Sequence, residues 1–192
     1  MSDKLKQSIA AGLLDKSAKT GRDRAFGVIR PGMKRMTARY PELSAKLRGI
    51  KEYSINHIDE LLALTVKNMQ ANGCKVFVAE TPQEALEYIG ALVKQGLVVK
   101  SKTNAGKEID LPTFLTNQGA TVIETDLGDR INQLDGGAAS HSLAPAIHVP
   151  IERVAQLFSA DMGLDLEPEL DQLVQAARHN LRRYLEDADI GI

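Results

Sequence analysis

Two β-branched runs that break abruptly into polar text constrain this fold more than anything else in the chain. The first is LVVKSKTNAGKEIDL, residues 97–111, and the second is ATVIETDLGDRINQLDGGAASHSLAPAIH, residues 120–148. Short, near-continuous apolar runs of this kind read as strands of a parallel sheet covered by helices. In open α/β sheets the binding sites lie beyond the carboxyl ends of the strands, on loops that a rigid frame positions. Both breaks are therefore candidate functional loops.

The flanking text supplies the helices. Thr81-Pro82-Gln83-Glu84 is a capping box with proline at the first helical position. Ala85, Leu86, Ile89, Leu92 and Val93 follow at helical spacing to about Lys94, and Gly96 closes the element. Asn56 is read as the cap of an earlier helix carrying Ile58, Leu61, Leu62, Thr65, Val66 and Met69 and stopped by Gly73. Leu111, Phe114 and Leu115 mark a short helix ended by Gly119, with Pro112 tolerated in its first turn. Pro150 opens a helix through Val154, Leu157 and Phe158. Pro168 opens another, with Leu170, Leu173, Val174, Ala177, Leu181, Tyr184 and Leu185 on one face.

The expected strands are Lys75–Ala79 (KVFVA), Leu97–Val99 and Thr121–Glu124. Strands alternating with helices predict an α/β, Rossmann-like parallel sheet with helices on both faces. That domain is expected over residues 46–192, after a helical or irregular segment over residues 1–45. Cys74, just before the KVFVA run, is expected in the core. The chain stops at ADIGI, an apolar run opening where a further strand is due, so the domain is expected to be truncated at its C-terminus, with a partly exposed apolar surface there.

The N-terminal segment is locally basic through Arg22, Arg24, Arg30, Lys34, Arg35 and Arg39, with Pro31-Gly32 and Pro41 as breakers. It reads either as a solvated pair of short helices or as a docking arm for a partner subunit. A net charge of -1 argues against nucleic acid or anionic membranes as partners. The opening MSDKLKQS has no apolar stretch behind its charges, and no run approaches a membrane span, so a cytoplasmic location is expected. One cysteine excludes an internal disulfide and any metal site built from this chain's thiolates alone; no metal ligands are assigned.

The chemistry is sought in the two loops. Lys100, Ser101, Lys102 and Thr103 leave a strand end and offer ammonium groups, hydroxyls and backbone N–H donors, which suit a carboxylate or a phosphate. Without the glycine spacing of a phosphate loop, a solvated polar turn is the competing reading. Glu124, Thr125 and Asp126 place two carboxylates around a hydroxyl at the next strand end, able to orient hydroxyls or tune a base. An N-cap with surface charge is the alternative there. His141 and His148 flank Leu143-Ala144-Pro145-Ala146 in irregular text and lack the spacing of a helical metal pair. Either can move a proton near neutral pH, and either can equally be a hydrogen-bonded structural residue.

Taken together the motifs resemble the lactate-utilisation (LUD) domain family, in particular the N-terminal part of the iron–sulfur subunit of the L-lactate oxidation system. That family writes a VVKSKSM-type loop, a VVETDLGE-type strand end and a PSHI-x-x-PAIH segment. Here they stand as VVKSKTN (98–104), VIETDLGD (122–129) and ASHSLAPAIH (139–148). FVAETPQEALEYI and AARHNLRRYLEDADIGI match the family's text as well. Thr103-Asn104 departs from the usual Ser-Met. Lys107 stands where the family often has the first of two Glu residues, leaving Glu108. The family also continues past ADIGI into a cysteine-rich, ferredoxin-like region.

The resemblance implies a fold like that of ribose-phosphate isomerases and CoA transferases, and a role in oxidising L-lactate to pyruvate. Iron–sulfur clusters are then expected on the C-terminal region or on a partner, with companion subunits, a small carboxylic acid substrate and self-association. In that setting Lys100, Ser101, Lys102, Thr103, Glu108, Thr125 and Ser140 would bind substrate. His141 or His148 would be the base, oriented by Glu124 or Asp126. A non-catalytic assembly module, or a small-acid, CoA or sugar-phosphate binder of the same superfold, is the alternative.

Overall fold

A computed structural model describes residues 14, 16–137 and 144–192. The chain divides into two compact units, one of Phe26–Glu80 and one of Thr81–Ile192 together with the chain up to Ala25.

Helix α1 spans Lys16–Arg39. Pro31 lies inside it, so Pro31-Gly32 does not break the helix. A proline removes one ladder hydrogen bond without having to end the helix, whereas Pro41 disfavours helical backbone at Tyr40, where α1 has stopped. Helix α2 spans Leu43–Asn56 and α3 spans Ile58–Ala71, broken by the single residue His57. Asn56 therefore closes α2 instead of capping α3. His57 marks the break by stacking on Tyr53 at 4.1 Å while its Nδ1 lies 2.9 Å from the Tyr53 carbonyl. Neither α2 nor α3 has a fully buried residue.

Lys75–Ala79 forms no ladder, and Cys74 is exposed; both expectations are corrected. Phe77 and Val78 remain 47% and 52% exposed. Apolar, β-branched composition favours an extended chain, but a strand also needs a free neighbour for its backbone groups. The positions beside the central strand of the sheet are held by other segments.

Those segments are β1, Leu97–Lys100, β2, Thr121–Glu124, and β3, Ile190–Gly191, in the order β2-β1-β3 with both pairings parallel. The register runs from Leu97↔Thr121 to Lys100↔Glu124 on one side, and Val98↔Ile190 with Val99↔Gly191 on the other. The strand expected at ADIGI is thus β3, and Ile190 and Ile192 are half-buried against the core. The result is an α/β, Rossmann-like arrangement, mostly helical around a small parallel sheet.

Helix α4, Pro82–Val93, precedes β1, and α5, Asn104–Glu108, with α6, Leu111–Asn117, joins β1 to β2. Val98 and Val122 point to the same side and pack with Val93, Leu111, Leu115 and Ala120. Val99 and Ile123 point to the opposite side, where α7, Leu127–Asp135, meets β2 and α9, Leu170–Asp187, meets β1. Helix α8, Ile151–Met162, completes a second cluster of Ile131, Ala155, Leu157, Phe158, Leu173 and Ala177.

Two local devices frame this unit. The Thr81 hydroxyl accepts from the Glu84 N–H at 3.2 Å, with Pro82 in the first turn of α4. Thr81→Ala should cost about 1 kcal/mol, read as a lower urea midpoint at unchanged slope; an unmoved midpoint would mean the cap contributes nothing. At the outer edge of the sheet, the Gln133 side chain donates to the Val122 carbonyl at 2.7 Å and accepts from the Glu124 N–H at 3.2 Å. A single amide occupies backbone groups that a fourth strand would use.

Candidate functional site

Parallel register brings the last residues of β1 and β2 side by side on one face. The Lys100 ammonium lies 2.9 Å from the Glu124 carboxylate, with side-chain exposures of 0% and 8%. It also donates to the Ser101 carbonyl at 3.2 Å. Two charges so deeply buried hold each other, since either one alone would carry its full desolvation cost.

The loops beyond are stitched together. The Thr125 N–H and hydroxyl both donate to the Lys100 carbonyl, at 2.9 and 3.0 Å. Lys102 and Asp126 face each other at 3.8 Å, both partly exposed. Asp126 is also the N-cap of α7, its Oδ1 accepting from the Asp129 N–H at 3.1 Å. Thr103 caps α5 through the Gly106 N–H at 3.2 Å. Ser101 is exposed and its N–H donates to the Ile192 carbonyl at 2.6 Å, while Glu108 ends α5 on the surface. Lys100–Thr103 and Glu124–Asp126 therefore share one edge of the sheet.

The third loop is placed only in part. Ser140 and His141 lie outside the described residues. Pro145 is buried over the start of α7, where a β-carbon added to Gly128 would stand 3.1 Å from its Cγ. His148 lines a separate cleft of about 230 Å³ with Lys16, Thr20 and Arg24, and its Nδ1 is buried with no hydrogen-bond partner.

The sequence reading passed over a larger cleft beside Glu124. It measures about 510 Å³ and is lined by residues that include Lys107, Asp110, Thr113, Asp129 and Asn132. The Lys107 ammonium pairs with Asp129 Oδ1. Asp129 and Asn132 are 4% and 6% exposed, yet Asp129 Oδ2 and both polar atoms of the Asn132 carboxamide have no hydrogen-bond partner. Their signal was present but quiet. Leu127, Ile131 and Leu134 define the apolar face of α7, and polar positions between them read by default as solvated.

The helix that carries Asp129 and Asn132 is tied to its neighbours by a polar network. Arg130 donates to both carboxylate oxygens of Asp161 at 2.9 Å and to Gln133 Oε1 at 2.7 Å, with its guanidinium 5.7 Å from the Tyr184 ring centre. Asn180 donates to Asp161 at 3.0 Å, so one polar network links α7, α8 and α9.

Among the described residues no group of three or more His, Cys, Asp or Glu side chains is placed to hold a metal ion. An iron–sulfur cluster requires a set of thiolates, and Cys74 is this sequence's one cysteine, so the residues present do not fit such a cluster. No helix among the described residues is long and apolar enough to cross a membrane.

Comparison with known proteins supplies the family. The profile of the LUD domain matches residues 62–192. Lactate utilization protein B of Exiguobacterium sp. is 37% identical over 146 residues, covering 74% of this chain and 31% of that protein. The protein of the same name in Oceanobacillus iheyensis is 36% identical over 146 residues, covering 74% of this chain and 30% of that protein. In Bacillus licheniformis it is 32% identical over 188 residues, covering 90% and 39%. The alignments thus span 30% to 39% of the length of these curated relatives. No solved structure matches the chain.

Proposed function

This chain belongs to the LUD domain family, and on that premise we propose that it is the acid-binding part of an L-lactate-oxidising, iron–sulfur electron-transfer protein acting in the cytoplasm. The observation that carries the reading is the 37% identity over 146 residues to a protein named for lactate utilisation. The small carboxylic acid binds at the carboxyl edge of β1 and β2, where the two loops meet. Electrons leave through clusters held outside this chain's residues, on another part of the protein or on a companion subunit.

In this reading Lys100 and Glu124 act as a buried brace and do not touch the acid. Ser101, Lys102, Thr103, Thr125 and Asp126 shape the mouth of the site, with His141 as the group that takes the hydroxyl proton, since His148 lines a separate cleft. A second reading, a non-catalytic assembly module, draws support from that same brace, because two of the candidate charges are consumed in holding the frame.

Titration calorimetry separates the two. Saturable binding of L-lactate to the purified chain is expected, with pyruvate competing for the same site. A chain that binds neither acid, yet captures the cluster-bearing subunit of its own organism's lactate-oxidising complex, would establish the assembly reading instead.

A further inference from the structure

We propose that the cleft between α5, α6 and α7 is the subsite for the hydroxyl-bearing end of a 2-hydroxy acid, with Lys107, Asp129 and Asn132 as its ligands. The inference rests on the lactate reading for its choice of acid, but the site itself stands on an anomaly of the fold. Buried polar side chains are almost always hydrogen-bonded. Asn132, 6% exposed, has neither end of its carboxamide satisfied, and Asp129, 4% exposed, has one carboxylate oxygen unsatisfied. Both residues line the same cleft.

The unmet groups specify what would satisfy them. Asp129 Oδ2 needs a donor, while Asn132 offers one donor group and one acceptor. A hydroxyl meets two of these three atoms, donating to Asp129 Oδ2 and accepting from the Asn132 Nδ2 group. Lys107 gives one contact to Asp129 and carries further N–H donors, which places a carboxylate beside that hydroxyl. A carboxylate adjacent to a hydroxyl is the defining feature of a 2-hydroxy acid. Pro112, also in the lining, offers apolar surface to the remaining carbon chain.

Charge decides against a phosphate. Asp110, Glu124 and Asp129 all line the cleft, against Lys107 and the Lys100 ammonium already matched to Glu124. With three carboxylates against two ammonium groups, a dianion meets twice the net repulsion of a monoanion there. At about 510 Å³ the cleft also exceeds a three-carbon acid, so longer 2-hydroxy acids are admitted.

The test is calorimetry on the full chain with L-lactate, glycolate and propionate, repeated on Asn132→Leu and Asp129→Asn. Propionate, which lacks the hydroxyl, is expected to bind roughly 10- to 100-fold more weakly than L-lactate, and each variant to weaken L-lactate by a similar factor. Asn132→Leu should also melt no lower than the parent without ligand, because it removes an unsatisfied buried amide. Asp129→Asn keeps the side-chain shape and provides the reading if the leucine variant does not fold. L-Lactate binding undiminished in both variants overturns the subsite and leaves the lactate reading intact. Glycolate binding that depends on Asn132, without L-lactate binding, keeps the subsite and overturns the lactate reading. A chain that binds none of the 2-hydroxy acids overturns both.

Discussion

Lys100→Met is expected to lower the unfolding free energy by about 3–5 kcal/mol, the usual consequence of stranding one charge of a buried pair. The ammonium is fully buried and sits 2.9 Å from Glu124, so its loss leaves a carboxylate with 8% side-chain exposure facing a methyl group. The diagnostic measurement is the double variant. Lys100→Met combined with Glu124→Leu removes both charges and should regain most of the loss, because buried pairs replaced by apolar groups of similar volume often cost little. Urea unfolding of the parent, both single variants and the double variant closes the cycle. Equal losses in the single and double variants would show that the side chains contribute by packing alone.

Asp161→Ala is expected to have an effect of the same order, about 3–5 kcal/mol, for a different reason. Asp161 receives a two-pronged contact from Arg130 and a further bond from Asn180, so its removal strands a guanidinium that is 7% exposed and releases an amide as well. Three helices lose their common polar joint. Arg130 and Asn132 lie on the same helix, so the variant should also weaken acid binding in the α5–α7 cleft. Asp161→Asn keeps the shape and one acceptor, and is expected to fall between the parent and the alanine variant. A loss below 1 kcal/mol for Asp161→Ala would mean that water replaces the carboxylate.

What was legible in the sequence follows the range of the interactions involved. The Thr81 cap, the limits of β2 and the glycine stop at Gly119 are set by residues within a few positions of one another, and they stand where the text places them. Lys75–Ala79 does not, because pairing depends on which distant segment occupies the place beside β1, and Ile190–Gly191 holds one of those places. The same limit applied at the site. The KSKT text shows two ammonium groups but not which is buried; only the register that sets Lys100 opposite Glu124 decides that. Asp129 and Asn132 were missed because their isolation is a property of the packed state, visible only when every neighbour is known.

The Gln133 amide at the outer edge of β2 turns a structural detail into a matter of colloidal behaviour. An unguarded strand edge is a template on which any extended chain can grow, its own copies included. Here a newcomer gains nothing from the Val122 carbonyl or the Glu124 N–H until it has prised off a side chain already bonded to both. Growth at this edge is thus an exchange, not an addition, and the driving force for fibre-like stacking is reduced by the bonds that must first be broken. One glutamine, anchored on a helix that also borders the α5–α7 cleft, thereby makes edge-to-edge growth of a narrow parallel sheet less favourable.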